Sequence, residues 1–82
     1  MSIKVKFYGW PRDVIGSSEV EINPGGRSVL ELLKVIDKDG KVVRAVKEDR
    51  LFVVVNHSKA VNANFKPKDG DIIAIFPEPS GG

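Results

Sequence analysis

Hydrophobic and polar residues alternate from the start of the chain. Ile3, Val5 and Phe7 fall between Lys4, Lys6 and Tyr8, the period of two that gives a strand one buried and one wet face. Val20 and Ile22 repeat the alternation over residues 19–22, which predicts an antiparallel partner for the first strand. The intervening stretch holds Gly9, Trp10, Pro11 and Gly16 and reads as a loop with one helical turn opening at Pro11. Trp10 is expected there as a lid over the edge of the core. Asn23-Pro24-Gly25-Gly26 is a turn cluster that ends the second strand. The period then changes. Ser28, followed three residues later by Glu31, is a capping box, so a helix should begin at Val29. Val29, Leu32, Leu33 and Ile36 recur at helical spacing, with Leu30 beside them, and Gly40 is expected to terminate the helix in a left-handed conformation.

Val42, Val43, Ala45 and Val46 settle on neither period, so for residues 41–50 a short strand and a helical turn both stay open. Residues 51–55 are apolar on both faces, as in a strand inside a sheet, and Asn56-His57-Ser58 turns the chain. Ala60-Val61 starts a short strand, Phe65 pins the loop of residues 62–67 to the core, and Lys68-Asp69-Gly70-Asp71 is a tight turn before a final strand over residues 72–76. Strands on both sides of one main helix indicate an α+β fold, with a mixed sheet of four to five strands and the helix packed across one face. If the helix is a right-handed crossover, the last strand lies beside the first and parallel to it, which is the β-grasp. The predicted organisation is a domain of residues 1–76 followed by an extended tail, 77–82.

Composition narrows the chemistry. With 82 residues there is room for a single domain, and the absence of cysteine removes disulfides, thiolate metal sites and a cysteine nucleophile. Thirteen basic and 11 acidic side chains leave a net charge of +2 and are interspersed, so no nucleic-acid surface is indicated. No apolar run nears the roughly 18 residues a membrane span needs, and the chain opens on a strand pattern where a signal peptide would be apolar; a cytosolic protein without membrane contact is expected. His57, the single histidine, has no companion at a ligand spacing and is read as a solvated turn residue. The carboxylates of residues 68–71 lack the further oxygen ligands of a calcium loop, and Gly25-Gly26-Arg27-Ser28 lacks the lysine and spacing of a phosphate loop. No metal site is expected.

The last six residues, Pro77-Glu78-Pro79-Ser80-Gly81-Gly82, leave an apolar strand abruptly. The prolines restrict φ and favour extended neighbours, so a reach of roughly 20 Å follows at about 3.3 Å per residue. Two residues without side chains at the end permit close approach by another protein.

Val53-Val54-Val55-Asn56, then Lys68-Asp69-Gly70-Asp71 with Ile73-Ala74-Ile75-Phe76-Pro77, and finally Ser80-Gly81-Gly82 resemble the sulfur-carrier family of ubiquitin-like proteins, nearest to its molybdopterin synthase small subunits. Thiamine-pathway sulfur carriers and small archaeal modifiers are relatives of that family. The resemblance covers nearly the whole chain, most specifically its C-terminal third, and residues 41–50 take no part in it. It implies a β-grasp and a non-catalytic carrier whose terminal glycine is adenylated with ATP and converted to a thiocarboxylate. Gly82 would bear the sulfur and Gly81 would pass through narrow channels. The implied partners are a ubiquitin-activating-like adenylating enzyme, the large catalytic subunit of molybdopterin synthase and, for a modifier, target-protein lysines. ATP and magnesium would belong to the adenylating partner, because this chain has no phosphate loop. Phe76, Pro77, Pro79, Ser80, Phe52 and Val54 are the candidate partner-binding residues, on the outer side of the sheet near the tail, with Lys and Arg side chains around them steering an acidic surface. The competing reading is that residues 41–50 cover that side. A β-grasp binding module with an incidental tail is the alternative from a different functional class.

Overall fold

A computed structural model describes residues 1–78. Strand β1 (Ile3–Phe7) buries Ile3, Val5 and Phe7 and turns Lys4 and Lys6 the other way, as the alternation requires. A short helix, α1 (Trp10–Ile15), follows and ends at Gly16, whose φ of 82° lets its N–H reach the Arg12 carbonyl. This is a fuller helix than the single turn expected. Pro11, not Trp10, is the residue that closes the core edge: Pro11 is buried, while Trp10 keeps 36% of its surface. Strand β2 (Glu19–Ile22) pairs antiparallel with β1, Val5 opposite Val20.

Helix α2 (Val29–Ile36) starts where the capping box places it. The Glu31 N–H donates to Ser28 Oγ at 3.2 Å, and the Ser28 N–H donates to Glu31 Oε1 at 2.9 Å. Hydrogen bonding to the Glu31 carboxyl from Ser28, first its backbone N–H and then its side chain, holds that carboxyl below its ordinary range. The helix ends at Ile36, earlier than expected. Gly40 does adopt a left-handed φ of 93°, but as the residue that opens a further helix, α3 (Lys41–Lys47). Asp37 caps α3 from a distance, its buried Oδ2 accepting from the N–H groups of Val42 at 2.8 Å and Val43 at 3.0 Å. Residues 41–47 are therefore helical, and Val42, Ala45 and Val46 pack into the core.

Strands β3 (Leu51–Val55), β4 (Lys59–Val61) and β5 (Ile72–Pro77) complete a five-stranded sheet in the order β2-β1-β5-β3-β4. The central pair, β1 and β5, is parallel, and every other pair is antiparallel. This is the β-grasp. The last strand is one residue longer than expected, because Pro77 still pairs with Leu51. Asn56 and His57 make the β3–β4 turn with φ of 53° and 69°, and His57 is exposed, as read from the sequence. Asn56 also ties that turn to the start of β5: its Nδ2 donates to Asp71 Oδ1, and its Oδ1 accepts from the Ile72 N–H. Phe65 packs against the core, and its carbonyl accepts from the Val29 N–H at 2.9 Å, anchoring the loop to the start of α2.

One face of the sheet holds the core. Ile3, Val5, Phe7, Leu51, Val53, Val55, Ile73 and Ile75 point to the side covered by Val29, Leu32 and Leu33 of α2 and by Val42, Ala45 and Val46 of α3. Two helices of similar length thus share this face, where a single main helix was expected.

Candidate functional site

The opposite face of the sheet carries three of the candidate partner-binding residues, Phe52, Val54 and Phe76. Because α3 packs on the core side, no described element covers this outer face, and the reading in which residues 41–50 mask it is set aside. Registration then fixes what the face displays. One row crosses all five strands as Glu19, Lys6, Ala74, Val54 and Ala60. Beside it, Phe76 stands opposite Phe52, with ring centroids 5.6 Å apart and planes tilted by 39°. On the other side Glu21, Lys4 and Ile72 form a second polar-to-apolar row. Across the sheet the surface therefore runs from acidic on β2 through basic on β1 to apolar on β5 and β3.

Phe52 keeps 41% of its surface, a large aromatic in solvent at the centre of a strand pair. Val54, Ala74 and Phe76 are half-buried, mostly by one another and by the sheet itself. An exposed apolar patch next to a cationic row suits recognition of an apolar partner surface with an acidic rim.

The patch and the root of the tail are one continuous object, since Phe76 and Pro77 end the strand that carries half of the patch. Pro77 is also held from the other side by Gly9. A Cβ at Gly9 would lie 2.9 Å from Pro77 Cγ and 3.1 Å from its Cδ, and Gly9 has a φ of 68°. Only glycine meets both demands. The Tyr8 N–H donates to the Ile75 carbonyl at 3.0 Å, extending the β1–β5 ladder to this point. The position of Pro77 is thus set by the sheet on one side and by the Gly9 backbone on the other.

Of the residues nominated from sequence, Phe52, Val54 and Phe76 come together here, whereas Pro77, opposite Leu51 and one residue past Phe76, has the parity of the core side and does not belong to this face. Pro79, Ser80, Gly81 and Gly82 lie outside the described residues. The sequence reading did not nominate Gly9, Ala74, Lys4 and Lys6 by number as site residues. The last two were legible in principle, since their parity is opposite to that of Ile3 and Val5, but their place beside the apolar patch depends on the parallel β1–β5 register. Among the described residues no group of His, Asp and Glu side chains is arranged to hold a metal ion, and no helix is long and apolar enough to cross a membrane.

Comparison with known proteins bears on this geometry. The profile of the ThiS family matches residues 5–82. The chain belongs to the ThiS family. Its members are ubiquitin-like sulfur carriers, not catalytic by themselves. No curated protein matches the chain. Among solved structures, it is similar to a putative molybdopterin converting factor subunit 1 from Pyrococcus furiosus, with 29% identity, 94% of this chain and 97% of that one covered, and a TM-score of 0.71. It is also similar to the Helicobacter pylori molybdopterin-converting factor, solved as a protein–protein complex of subunits 1 and 2, with 27% identity, complete coverage of both chains at 100%, and a TM-score of 0.61. The SAMP1 structure from Haloferax volcanii, at 24% identity with 100% of each chain covered and a TM-score of 0.71, shares the fold. As a ThiS family member, this chain is a sulfur carrier of that type.

Proposed function

We propose that this ThiS family protein donates sulfur from a thiocarboxylate at Gly82 in molybdopterin synthesis. The observation that carries the reading is the continuity of β5: the strand that displays Phe76 on the open face leads directly into the tail that ends in Gly81-Gly82. A partner docked on Phe52, Val54 and Phe76 has the tail's origin fixed relative to it. Phe76-Pro77 and the two molybdopterin-converting-factor likenesses above 25% identity favour the molybdopterin assignment over a thiamine-pathway carrier.

The chemistry follows from the terminal group. An α-carboxylate, with an ordinary pKa of about 3.5, is ionised at neutral pH and resists attack by a sulfur nucleophile. Its oxygen attacks the α-phosphorus of ATP bound by the adenylating partner, forming an acyl adenylate and releasing pyrophosphate. Sulfide then displaces AMP and leaves the thiocarboxylate; a partner persulfide instead gives an acyl disulfide, whose S–S bond a thiol of that partner cleaves to release the thiocarboxylate and leave a disulfide on the partner. This chain contributes the acyl group, its placement and the docking surface. The partner contributes the nucleotide and magnesium. Gly81, having no side chain, adds no bulk beside the reacting Gly82 carboxylate. An amine of a target lysine in place of sulfur would give an isopeptide, which is the modifier reading.

Incubation with the cognate adenylating enzyme, ATP and a sulfur source tests this. Intact mass should rise by the difference between sulfur and oxygen, and a variant lacking Gly81 and Gly82 should show no change. Stable conjugates on blots in place of the mass shift would favour the modifier, and retention of function by the truncated chain would leave only a binding module.

A further inference from the structure

Beside the tail root, on the side away from the apolar patch, Trp10, Lys41, Arg44 and Arg50 line an open groove of about 280 Å³. Trp10 directly follows Gly9, the residue pressed against Pro77. Helix α3 turns Val42, Ala45 and Val46 into the core and leaves Lys41 and Arg44, one turn apart, in solvent. The helix dipole disfavours Lys41 in the first turn and favours Arg44 in the last, while like charges three residues apart repel, so the fold gains little from this pair. Among the described residues the only ion pair is that of Arg50 with Glu48, at 2.8 Å, so Lys41 and Arg44 face the groove without a carboxylate partner.

We infer that this groove docks a short acidic segment of the protein that processes the tail; the identity of that partner rests on the carrier reading above. The groove is open to solvent and encloses little of anything placed in it, which favours an extended chain over a metabolite. A nucleic-acid backbone needs an unbroken cationic track, and here carboxylates interrupt it: Asp39 Oδ1 accepts from the Lys41 N–H, and Glu48 engages Arg50. A few carboxylates on a peptide need only the cations present. The guanidinium forks of Arg44 and Arg50 match carboxylates in geometry, and the Trp10 indole offers a wall for the aliphatic stems of the acidic side chains. A partner reaching both the groove and the outer face would hold the tail root from two sides.

Trp10 is the only tryptophan, so its emission reports occupancy of the groove directly. The full-length chain is titrated with deca-glutamate and, separately, with deca-uridylate. The expected result is a saturable change in emission with the peptide, abolished in K41E/R44E and by high salt, retained in the distant K59E, and absent or weaker with the oligonucleotide. In the loading reaction K41E/R44E should raise KM for this protein about tenfold with kcat unchanged. Acid at position 41 suits the helix dipole and acid at position 44, in the last turn, opposes it, so this variant should melt within a few degrees of wild type, which separates lost docking from lost folding. A response to the oligonucleotide alone, no response to either probe, or an unchanged KM overturns the inference. If wild type acquires no sulfur at all, the carrier reading fails, and the titration alone decides whether the groove takes acidic peptide.

Discussion

Replacing Gly9 by alanine tests whether the tail root is held as described. The substitution does two things at once. It forces an L-residue into φ 68°, ψ −146°, a region used almost only by glycine, at a cost of about 1–3 kcal/mol. It also puts a methyl carbon 2.9 Å from Pro77 Cγ, which overpacks a backbone-anchored ring, for about another 1–3 kcal/mol. Pro77 closes the end of β5 opposite Leu51 and can yield by unpairing, so part of the second cost is relieved by moving the tail root. A net loss of about 3 kcal/mol is expected. For a domain of this size that lowers Tm by roughly 12–24 °C at about 4–8 °C per kcal/mol. Thermal and urea unfolding measure it, and a double-mutant cycle with Pro77→Ala separates the two contributions. Removing the ring should return about 1 kcal/mol or more of coupling while the φ strain persists. A G9A variant within about 0.5 kcal/mol of wild type, or strict additivity with P77A, would show that Gly9 does not brace the root of the tail.

Three further outcomes are expected. Asp37→Ala removes the acceptor for two N–H groups at the start of α3, one fully buried; with partial relief from burying one carboxylate fewer, unfolding should show a loss of about 2 kcal/mol, and Asp37→Asn about half of that. Phe52→Ala forfeits the pair with Phe76, about 0.5–1.5 kcal/mol of stability, yet should weaken partner association by at least roughly 30-fold if Phe52 is a hot spot worth about 2 kcal/mol, as calorimetric titration would show. Asp71 is held below its ordinary value of 3.8 by the Lys68 N–H and then the Asn56 amide. A depressed folded pKa means its contribution is present above that value and disappears as pH falls through the folded one, so Asp71→Asn should be less stable than wild type at neutral pH, with the gap closing in acid.

Legibility in the sequence followed locality. The alternation of Ile3, Val5 and Phe7, the Ser28–Glu31 box and the turn residues before β5 each state their structure within a few positions, and each was correctly placed. The α3 segment was not readable, because seven residues hold too few turns to establish a period, and its helical state depends on Asp37 reaching forward to Val42 and on a core that accepts Val42, Ala45 and Val46. Gly40 illustrates the same limit. Its left-handed conformation was foreseeable from its type, but whether it closed one helix or opened the next depended on where the Ile36 turn met the sheet.

The sequence by itself determined the strands, the capped helix and the β-grasp order, because periodicity and capping are properties of neighbours along the chain. Only the tertiary structure decided that α3 lies with α2 on the core side, that Phe52 and Phe76 therefore stay open, that Gly9 braces Pro77, and that Trp10 shares a groove with Lys41, Arg44 and Arg50. Period tells a side chain which way it points from its own strand. What stands on that side is settled by segments distant in sequence, through register and packing.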